Sequence, residues 1–307
     1  MGLNTDGMTP REVWEMLKGK GVDPDNAYDE LEKKAKTEIK KDDSKVIGAK
    51  LSTKEELVFW GKNKGVSTSG LFNHLPESVA IEQGNKLVEM YEEFPTKRNG
   101  DMSFYSSAGQ LSKNTVAQAH LSVSDDGLSI NINADSFIGE DEKEIQANIE
   151  SGWWCKVLPE NYKYQTVAHE YGHIIEYSLL SKSNYISLVK EKVNKLRQEA
   201  YLDYKKASRF KQEVAKIQKQ TRKELFTDKI FPKIFERAKF YDKTIVIPKQ
   251  ITDKGYLRAP QISRYGATSW GEYFAESFAS GYLGGDNPIG KATIDVVRSI
   301  FKGEVKW

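Results

Sequence analysis

Apolar residues recur at two different spacings along this chain, and the changes of spacing mark its predicted elements. Steps of three and four over STKEELVFWGKNKG and PESVAIEQGNKLVEMYEEF predict two amphipathic helices, and Ser52 followed by Glu55 predicts a capping box at the start of the first. In TVAQAHLSVSDDGLSININADSF, polar and apolar residues alternate on both sides of Asp125-Asp126-Gly127, which predicts a β-hairpin. The segment DEKEIQANIES returns to helical spacing. Helices on both sides of a small, mostly antiparallel sheet predict a mainly helical α+β fold.

The first 45 residues are highly charged and poor in apolar positions. Thr9-Pro10-Arg11-Glu12 has the form of a capping box with proline at the first helical position, so a helix is predicted to begin there. We therefore expect residues 1–45 to form a charged helical extension and residues 46–307 to form the main domain.

Residues 183–243 differ from the rest of the main domain in charge and in periodicity. They contain seventeen Lys and Arg and eight Asp and Glu, a local charge of +9, which leaves −7 for the rest of the chain. Steps of three and four, with Asp203 as the one break, give a coiled-coil-like seam at Ile186, Val189, Val193, Leu196, Ala200, Ala207, Phe210, Val214 and Ile217. As one helix, 183–225 would run about 65 Å.

We predict a long, basic helical insertion over 183–243 whose seam packs on its own return segment. Docking of this arm to an acidic partner and self-association through the 186–217 seam stay open as alternatives. The arm could also dock nucleic acid, although nucleic acid is not the expected partner; the net charge of +2 for the whole chain argues neither for it nor against it.

The amino-acid composition limits the classes of protein to which the chain can belong. An apolar fraction of 38% and a charged fraction of 29% suit a soluble globular protein, and no apolar run approaches the roughly eighteen residues that span a bilayer. The N-terminal stretch MGLNTDGMTP does not have the pattern of a signal peptide. Cys155 is the only cysteine, which excludes an internal disulfide. Its place beside two tryptophans in GWWCKVL predicts a buried apolar residue rather than a nucleophile.

The stretch QTVAHEYGHIIE carries the pattern H-E-x-x-H at His169, Glu170 and His173. Residues four apart lie on one face of a helix, so both imidazoles can reach one metal ion, and Glu170 can act on a water molecule there. The alternative without a metal site is an ordinary amphipathic helix with two hydrogen-bonded histidines. The chain has only four histidines, and the remaining two, His74 and His120, are not expected to be ligands.

A catalytic zinc ion normally has three protein ligands and one open position, so a third ligand must come from elsewhere in the chain. Glu176 and Leu179 occupy the positions that metzincins fill with glycine and histidine, which excludes that extension of the motif. The candidates lie in SRYGATSWGEYFAESFASGY, where Glu272 and Glu276 are four apart. Ser269-Trp270-Gly271-Glu272 is also a capping box, so Glu272 could serve only to close a helix end.

The segment YGATSWGEYFAESF resembles the third-ligand segment of gluzincin metalloproteases of the anthrax lethal factor type. That family has a tyrosine seven residues before a ligand glutamate and a second glutamate four residues after it, positions filled here by Tyr265, Glu272 and Glu276. HEYGH matches the family's first motif as well. The resemblance covers residues 46–182 and 244–307, and the basic insertion between the two motifs departs from the family. Glu276 is expected to accept the free N–H of one histidine and so fix its tautomer.

The resemblance implies a zincin-type metallopeptidase domain in which Zn²⁺ is bound by His169, His173 and Glu272. Glu170 is then expected to be the general base for a zinc-activated water, and the Tyr265 hydroxyl to stabilise the oxyanion. The substrate would be a protein or peptide added to the edge of the hairpin at 115–134. Similar two-motif domains occur in phage and prophage head-associated proteins. If the chain is complete, we expect no membrane association and a cytoplasmic or virion-associated location.

Two other function classes stay open. One is a structural or morphogenetic phage protein in which the zinc site is not catalytic. The other, less favoured, is an ADP-ribosyltransferase, because Ser67-Thr68-Ser69 and Glu140-Asp141-Glu142 resemble the S-T-S and E-x-E elements of those enzymes.

Overall fold

The computed structural model describes residues 50–96, 102–112, 115–121, 127–137, 141–202, 204–245 and 262–304. By its internal contacts the chain divides into two compact units, Met1–Lys50 and Leu51–Trp307. The helix predicted within residues 1–45 lies outside the described residues. Within the described part of the chain, no helix is long and apolar enough to cross a membrane. The fold is α+β, with a small sheet among helices.

The described residues form a four-stranded sheet in the order β1-β2-β4-β3. The strands are β1 (Val66–Ser67), β2 (Met102–Ser107), β3 (Ala117–Leu121) and β4 (Leu128–Asn133). The antiparallel pairing of the predicted hairpin is confirmed, since β3 pairs with β4 and Ala117 lies opposite Ile132, while the predicted turn residues Asp125 and Asp126 lie outside the described residues.

The expectation of a mostly antiparallel sheet is wrong, because β1 pairs parallel with β2, and β2 pairs parallel with β4. A helix connects β1 to β2 and returns the chain to the end of the sheet where β1 began, which makes that pair parallel.

Four α-helices precede the H-E-x-x-H motif within the described residues: α1 (Lys54–Lys64), α2 (Glu77–Glu93), α3 (Ala134–Phe137) and α4 (Asp141–Glu150). The capping box of α1 lies one residue later than predicted. Thr53, not Ser52, is the N-cap, and its hydroxyl accepts from the Glu56 N–H while the Glu56 carboxylate accepts from the Thr53 N–H. Glu56 also accepts from the Ser52 N–H at 2.6 Å, so one side chain satisfies both amides.

The helix that carries H-E-x-x-H, α5 (Gln165–Lys182), lies in the centre of the domain. It packs against α9 (Trp270–Tyr282), which in turn packs against α10 (Pro288–Phe301). Gly172 permits this contact, because a Cβ atom there would lie 2.8 Å from the Cα of Ala275. The close approach of α5 and α9 brings the two sequence motifs together.

The predicted insertion forms α6 (Tyr185–Leu202), α7 (Tyr204–Leu225), a π-helical turn at Phe226–Ile230 and α8 (Phe231–Tyr241). The chain therefore does not form one helix from 183 to 225. Helices α6 and α7 pack against each other, and the Tyr185 hydroxyl donates to the Gln218 carbonyl at 3.1 Å. The described seam residues are half-buried.

The last part of this stretch belongs to the core of the domain. Phe226 is fully buried, with its ring centroid 5.0 Å from that of Trp270 and 5.1 Å from that of Phe274 on α9. Further core residues follow at Ile230, Phe231, Ile234, Phe235 and Ala238. The part that stands apart from the core is therefore shorter than 183–243, because the apolar residues after about 221 pack on the helix that carries Glu272.

Candidate metal centre

His169 and His173 lie one turn apart on α5, and their ring centroids are 5.0 Å from each other. Ser269 caps the N-terminus of α9, its hydroxyl accepting from the Glu272 N–H at 3.2 Å. The carboxylate of Glu272 meanwhile faces the histidines, with Oε2 3.0 Å from His169 Nε2 and 3.4 Å from His173 Nε2. The capping role thus falls to the Ser269 side chain and the Glu272 backbone, and the Glu272 side chain remains available as a ligand.

The donor atoms of His169, His173 and Glu272 all lie within 4.8 Å of one another. Oε2 of Glu272 is buried, and the polar groups that face it are the Nε2 atoms of His169 and His173. A buried carboxylate oxygen facing two imidazole nitrogens requires positive charge between them, from protons or from a metal ion. Two imidazoles and one carboxylate are a donor set that suits Zn²⁺, so the residues present fit the ion.

The other nitrogen of His169 is held by a carboxylate. Glu276 is fully buried, and its Oε1 lies 2.8 Å from His169 Nδ1 and accepts from Gln165 Nε2 at 3.0 Å. Its Oε2 accepts from the Cys155 N–H at 2.6 Å. An Nδ1–H donating to Glu276 leaves Nε2 of His169 free to bind a metal ion.

His173 has a corresponding partner that the sequence analysis missed. Glu176 is fully buried, with Oε2 3.3 Å from His173 Nδ1, while its Oε1 accepts from Nε of Arg222 at 2.6 Å. The spacing of three residues from His173 places Glu176 on the same helix face and could have predicted this contact. Arg222 lies 46 residues away in sequence on α7, and no local pattern indicates its contact with the site.

The carboxylates around the histidines change the pKa of both. Burial lowers the pKa of His169, but the carboxylates of Glu272 and Glu276 outweigh burial and raise it well above 6.5. Burial also lowers the pKa of His173, and Glu176 and Glu272 raise it from 6.5 to about 9. For Glu272, burial raises the pKa and the two histidines lower it far below its ordinary value. Without metal, protons on the histidines therefore balance Glu272, and a bound cation would replace them.

Glu170 lies between the motif helix and the edge of the sheet. Its side chain is buried, and Oε2 accepts from the Ala119 N–H of β3 at 2.5 Å. Because β3 is an edge strand of the described sheet, this contact places the carboxylate beside the edge where a peptide could be added.

Tyr265 lies against the other side of His169, with 5.5 Å between the two ring centroids. The Tyr265 N–H donates to the Trp153 carbonyl at 2.9 Å and fixes the backbone there. Burial first, then the nearby carboxylates of Glu272 and Glu170, raise the pKa of Tyr265 well above 10. The phenol therefore stays protonated and can donate a hydrogen bond at neutral pH.

A cavity of about 430 Å³ lies beside these residues. Its walls combine residues in or beside the edge strand β3 and α4 with residues of the motif helix, among them Val116, Ala117, Ile145, Trp153, His169 and Glu170. Tyr265 and Glu276 line it as well, so four of the six candidate site residues border one space.

The remaining candidates lie elsewhere. His74 and His120 are exposed and do not belong to the metal-ligating cluster found among the described residues. Cys155 is fully buried, as predicted, and burial raises the pKa of its thiol well above 9.0, which disfavours a nucleophilic thiolate. Of the alternative S-T-S element, Thr68 is buried and its hydroxyl donates to the Leu57 carbonyl at 3.0 Å, while Glu140 lies outside the described residues.

The chain has no significant match to a protein-family model, a curated protein or a solved structure.

Proposed function

We propose that this protein is a zinc-dependent endopeptidase of the lethal factor type, with His169, His173 and Glu272 as zinc ligands. One observation carries the proposal. The buried Oε2 of Glu272 faces the Nε2 atoms of two imidazoles, and the other nitrogen of each ring lies against a buried carboxylate. Hydrogen-bonded histidines in an ordinary helix do not need this arrangement, whereas a metal site does.

Zinc bound there would act as a Lewis acid and lower the pKa of a bound water molecule to about 7. Glu170 is the general base in this proposal. Its carboxylate takes the proton as the water attacks the peptide carbonyl, and later delivers it to the leaving amine. The hydrogen bond from the Ala119 N–H restricts this carboxylate to the space between α5 and β3.

Tyr265 supplies a hydrogen bond to the oxyanion that forms on the attacked carbonyl. Two features support this role: the tyrosine ring lies beside His169, and its raised pKa keeps the proton on the phenol. A neutral donor that is already in place stabilises the developing charge without reorganising during the reaction.

An extended peptide would bind along the outer edge of β3. The Asn133 N–H donates to the Val116 carbonyl, so even-numbered residues of this strand pair with β4. The main-chain groups of Ala117 and Ala119 then face outward, which agrees with the Ala119 N–H reaching Glu170. A peptide paired there would pass Glu170, and the neighbouring cavity has room for one of its side chains.

The test is cleavage of a peptide library by zinc-loaded protein, with Glu170→Ala as the matched inactive variant. We expect the variant to keep its zinc content and its fold while activity falls by several orders of magnitude. The proton acceptor of the reaction is lost, and the one hydrogen bond lost with it among the described residues is that from the Ala119 N–H at the sheet edge. Full activity in Glu170→Ala would contradict the mechanism. Zinc binding without cleavage of any peptide would favour the structural phage protein with a non-catalytic zinc site.

A further inference from the structure

Arg222 connects the basic arm to the metal centre. From the end of α7, its Nε donates to Oε1 of Glu176 at 2.6 Å, and its Nη1 donates to the hydroxyl of Tyr177. The guanidinium carbon lies 4.4 Å from the ring centroid of Tyr177 and 5.1 Å from that of Trp270. Arg222 therefore contacts α5 through Glu176 and Tyr177, and α9 through Trp270, the first residue of that helix.

The contact between Arg222 and Glu176 matters for the site because the Glu176 carboxylate is buried. Glu176 is fully buried, and the histidine nitrogen beside it is 3.3 Å away, which is long for a hydrogen bond to a carboxylate. The shorter contact, and the positive charge that balances Glu176, come from Arg222, whose side chain is 25% exposed. Removing Arg222 would leave a buried carboxylate held only by His173, and a buried charge without its partner tends to move.

We propose that Arg222 is a positioning residue for the metal centre: it fixes Glu176, which orients the His173 ring toward the zinc ion. This inference rests on the proposed zinc site. It assigns to the end of α7, where the insertion returns to the core, a function beyond packing, because the two histidines are oriented from different parts of the fold. Glu276 holds His169 with partners in the core, whereas Glu176 holds His173 with a partner on α7. A displacement of α7 would therefore move Glu176 and, through it, change the orientation of the His173 ring toward the metal ion.

The experiment measures zinc affinity by chelator competition, using wild type, Arg222→Met, Glu176→Gln and the double variant. Losing a direct partner of a ligating histidine typically lowers metal affinity by about 10–100-fold, so this range is expected for Glu176→Gln. Arg222 contacts Glu176 and not the ligating histidine itself. Arg222→Met should therefore weaken zinc binding only about tenfold, the lower end of this range. Because both residues act through one chain of contacts, the double variant should bind no more weakly than Glu176→Gln alone.

Arg237→Met is the matched control. Arg237 also pairs through Nε with a carboxylate, Asp295, at 2.6 Å, and also lies over an aromatic ring, that of Phe240. It is not among the residues of the metal centre, so its variant should keep wild-type zinc affinity. Arg222→Lys keeps the charge without the planar guanidinium and should recover part of the lost affinity.

The absorption spectrum of the Co²⁺-substituted protein provides a second readout, which a general loss of stability would not change. We expect the spectrum to shift in Arg222→Met and to stay unchanged in Arg237→Met. If Arg222→Met does not fold, Arg222→Gln replaces it, with the same expectation. Wild-type affinity and spectrum in a folded Arg222 variant would overturn the inference and leave the zinc site standing. A wild-type protein that binds no zinc would overturn the proposed function and this inference together.

Discussion

Replacing Glu276 by glutamine tests the environment of His169 with almost no change of volume. The carboxylate accepts hydrogen bonds from His169 and Gln165 on one oxygen and from the Cys155 N–H on the other. A glutamine side chain has only one acceptor oxygen, so its NH₂ group must face one of these donors. If the oxygen stays toward His169 and Gln165, the buried Cys155 N–H loses its acceptor.

The magnitude follows from the groups involved. A hydrogen bond to a charged group contributes about 1.5–3 kcal/mol, and an unsatisfied buried N–H costs about 1–3 kcal/mol. These terms overlap, so we expect Glu276→Gln to lower the free energy of unfolding by about 2–4 kcal/mol. The neutral amide is also a weaker acceptor for His169 Nδ1–H, and zinc affinity should fall by about 10–100-fold, or about 1.4–2.7 kcal/mol.

Urea unfolding of the metal-free protein measures the first quantity, and chelator competition measures the second. Glu236→Gln serves as control, because Glu236 is 65% exposed and pairs only with Lys239 at 3.5 Å among the contacts described. That pair should contribute at most about 1 kcal/mol and should not affect zinc. A Glu276→Gln protein that binds zinc as tightly as wild type would refute the argument that Glu276 holds His169 for the metal.

Three further predictions concern neighbouring groups. Tyr265→Phe should lower kcat more than it changes KM in peptide cleavage, since the hydroxyl acts on the transition state; a change in KM alone would exclude the oxyanion role. Gly172→Ala should destabilise the protein by about 1–3 kcal/mol in urea unfolding and weaken zinc binding, because its methyl group meets the backbone of Ala275 and separates α5 from α9; an unchanged protein would mean that the helices tolerate a wider spacing. Folding raises the pKa of His173 from 6.5 to about 9, so its proton stabilises the metal-free protein below pH 6.5, and this stabilisation is lost as the pH rises through about 9. Zinc affinity, measured over the same range, should rise with pH because zinc displaces that proton, and a flat profile would contradict the assignment.

The parts of the fold that local patterns determine could be predicted from the sequence. The spacing of H-E-x-x-H placed His169 and His173 on one helix face, and alternation around Asp125-Asp126-Gly127 predicted the hairpin. Strand β1 has two residues and β2 is rich in serine, so neither shows an apolar alternation strong enough to be recognised. Without them the sheet could only be read as antiparallel.

The missed parts of the site depend on contacts distant in sequence. The family motif predicts the contact of Glu276 with a histidine, whereas no motif of that family includes Glu176. Arg222 was grouped with the basic insertion because charge and periodicity do not show where a helix packs. The large apolar residues of LFTDKIFPKIF, which include Phe226 and Phe231, are the signal in the sequence that the insertion returns to the core.

Zinc content measured by mass spectrometry, with wild type beside Glu272→Ala, tests the central claim most directly. Glu236→Ala, a change at an exposed glutamate, accompanies them as control. The account predicts about one tightly bound zinc per chain in wild type and in the control, and weakened or lost zinc in Glu272→Ala, because two histidines alone hold the ion poorly. Zinc binding unaffected by Glu272→Ala, or no zinc in wild type even after zinc is supplied, would contradict it.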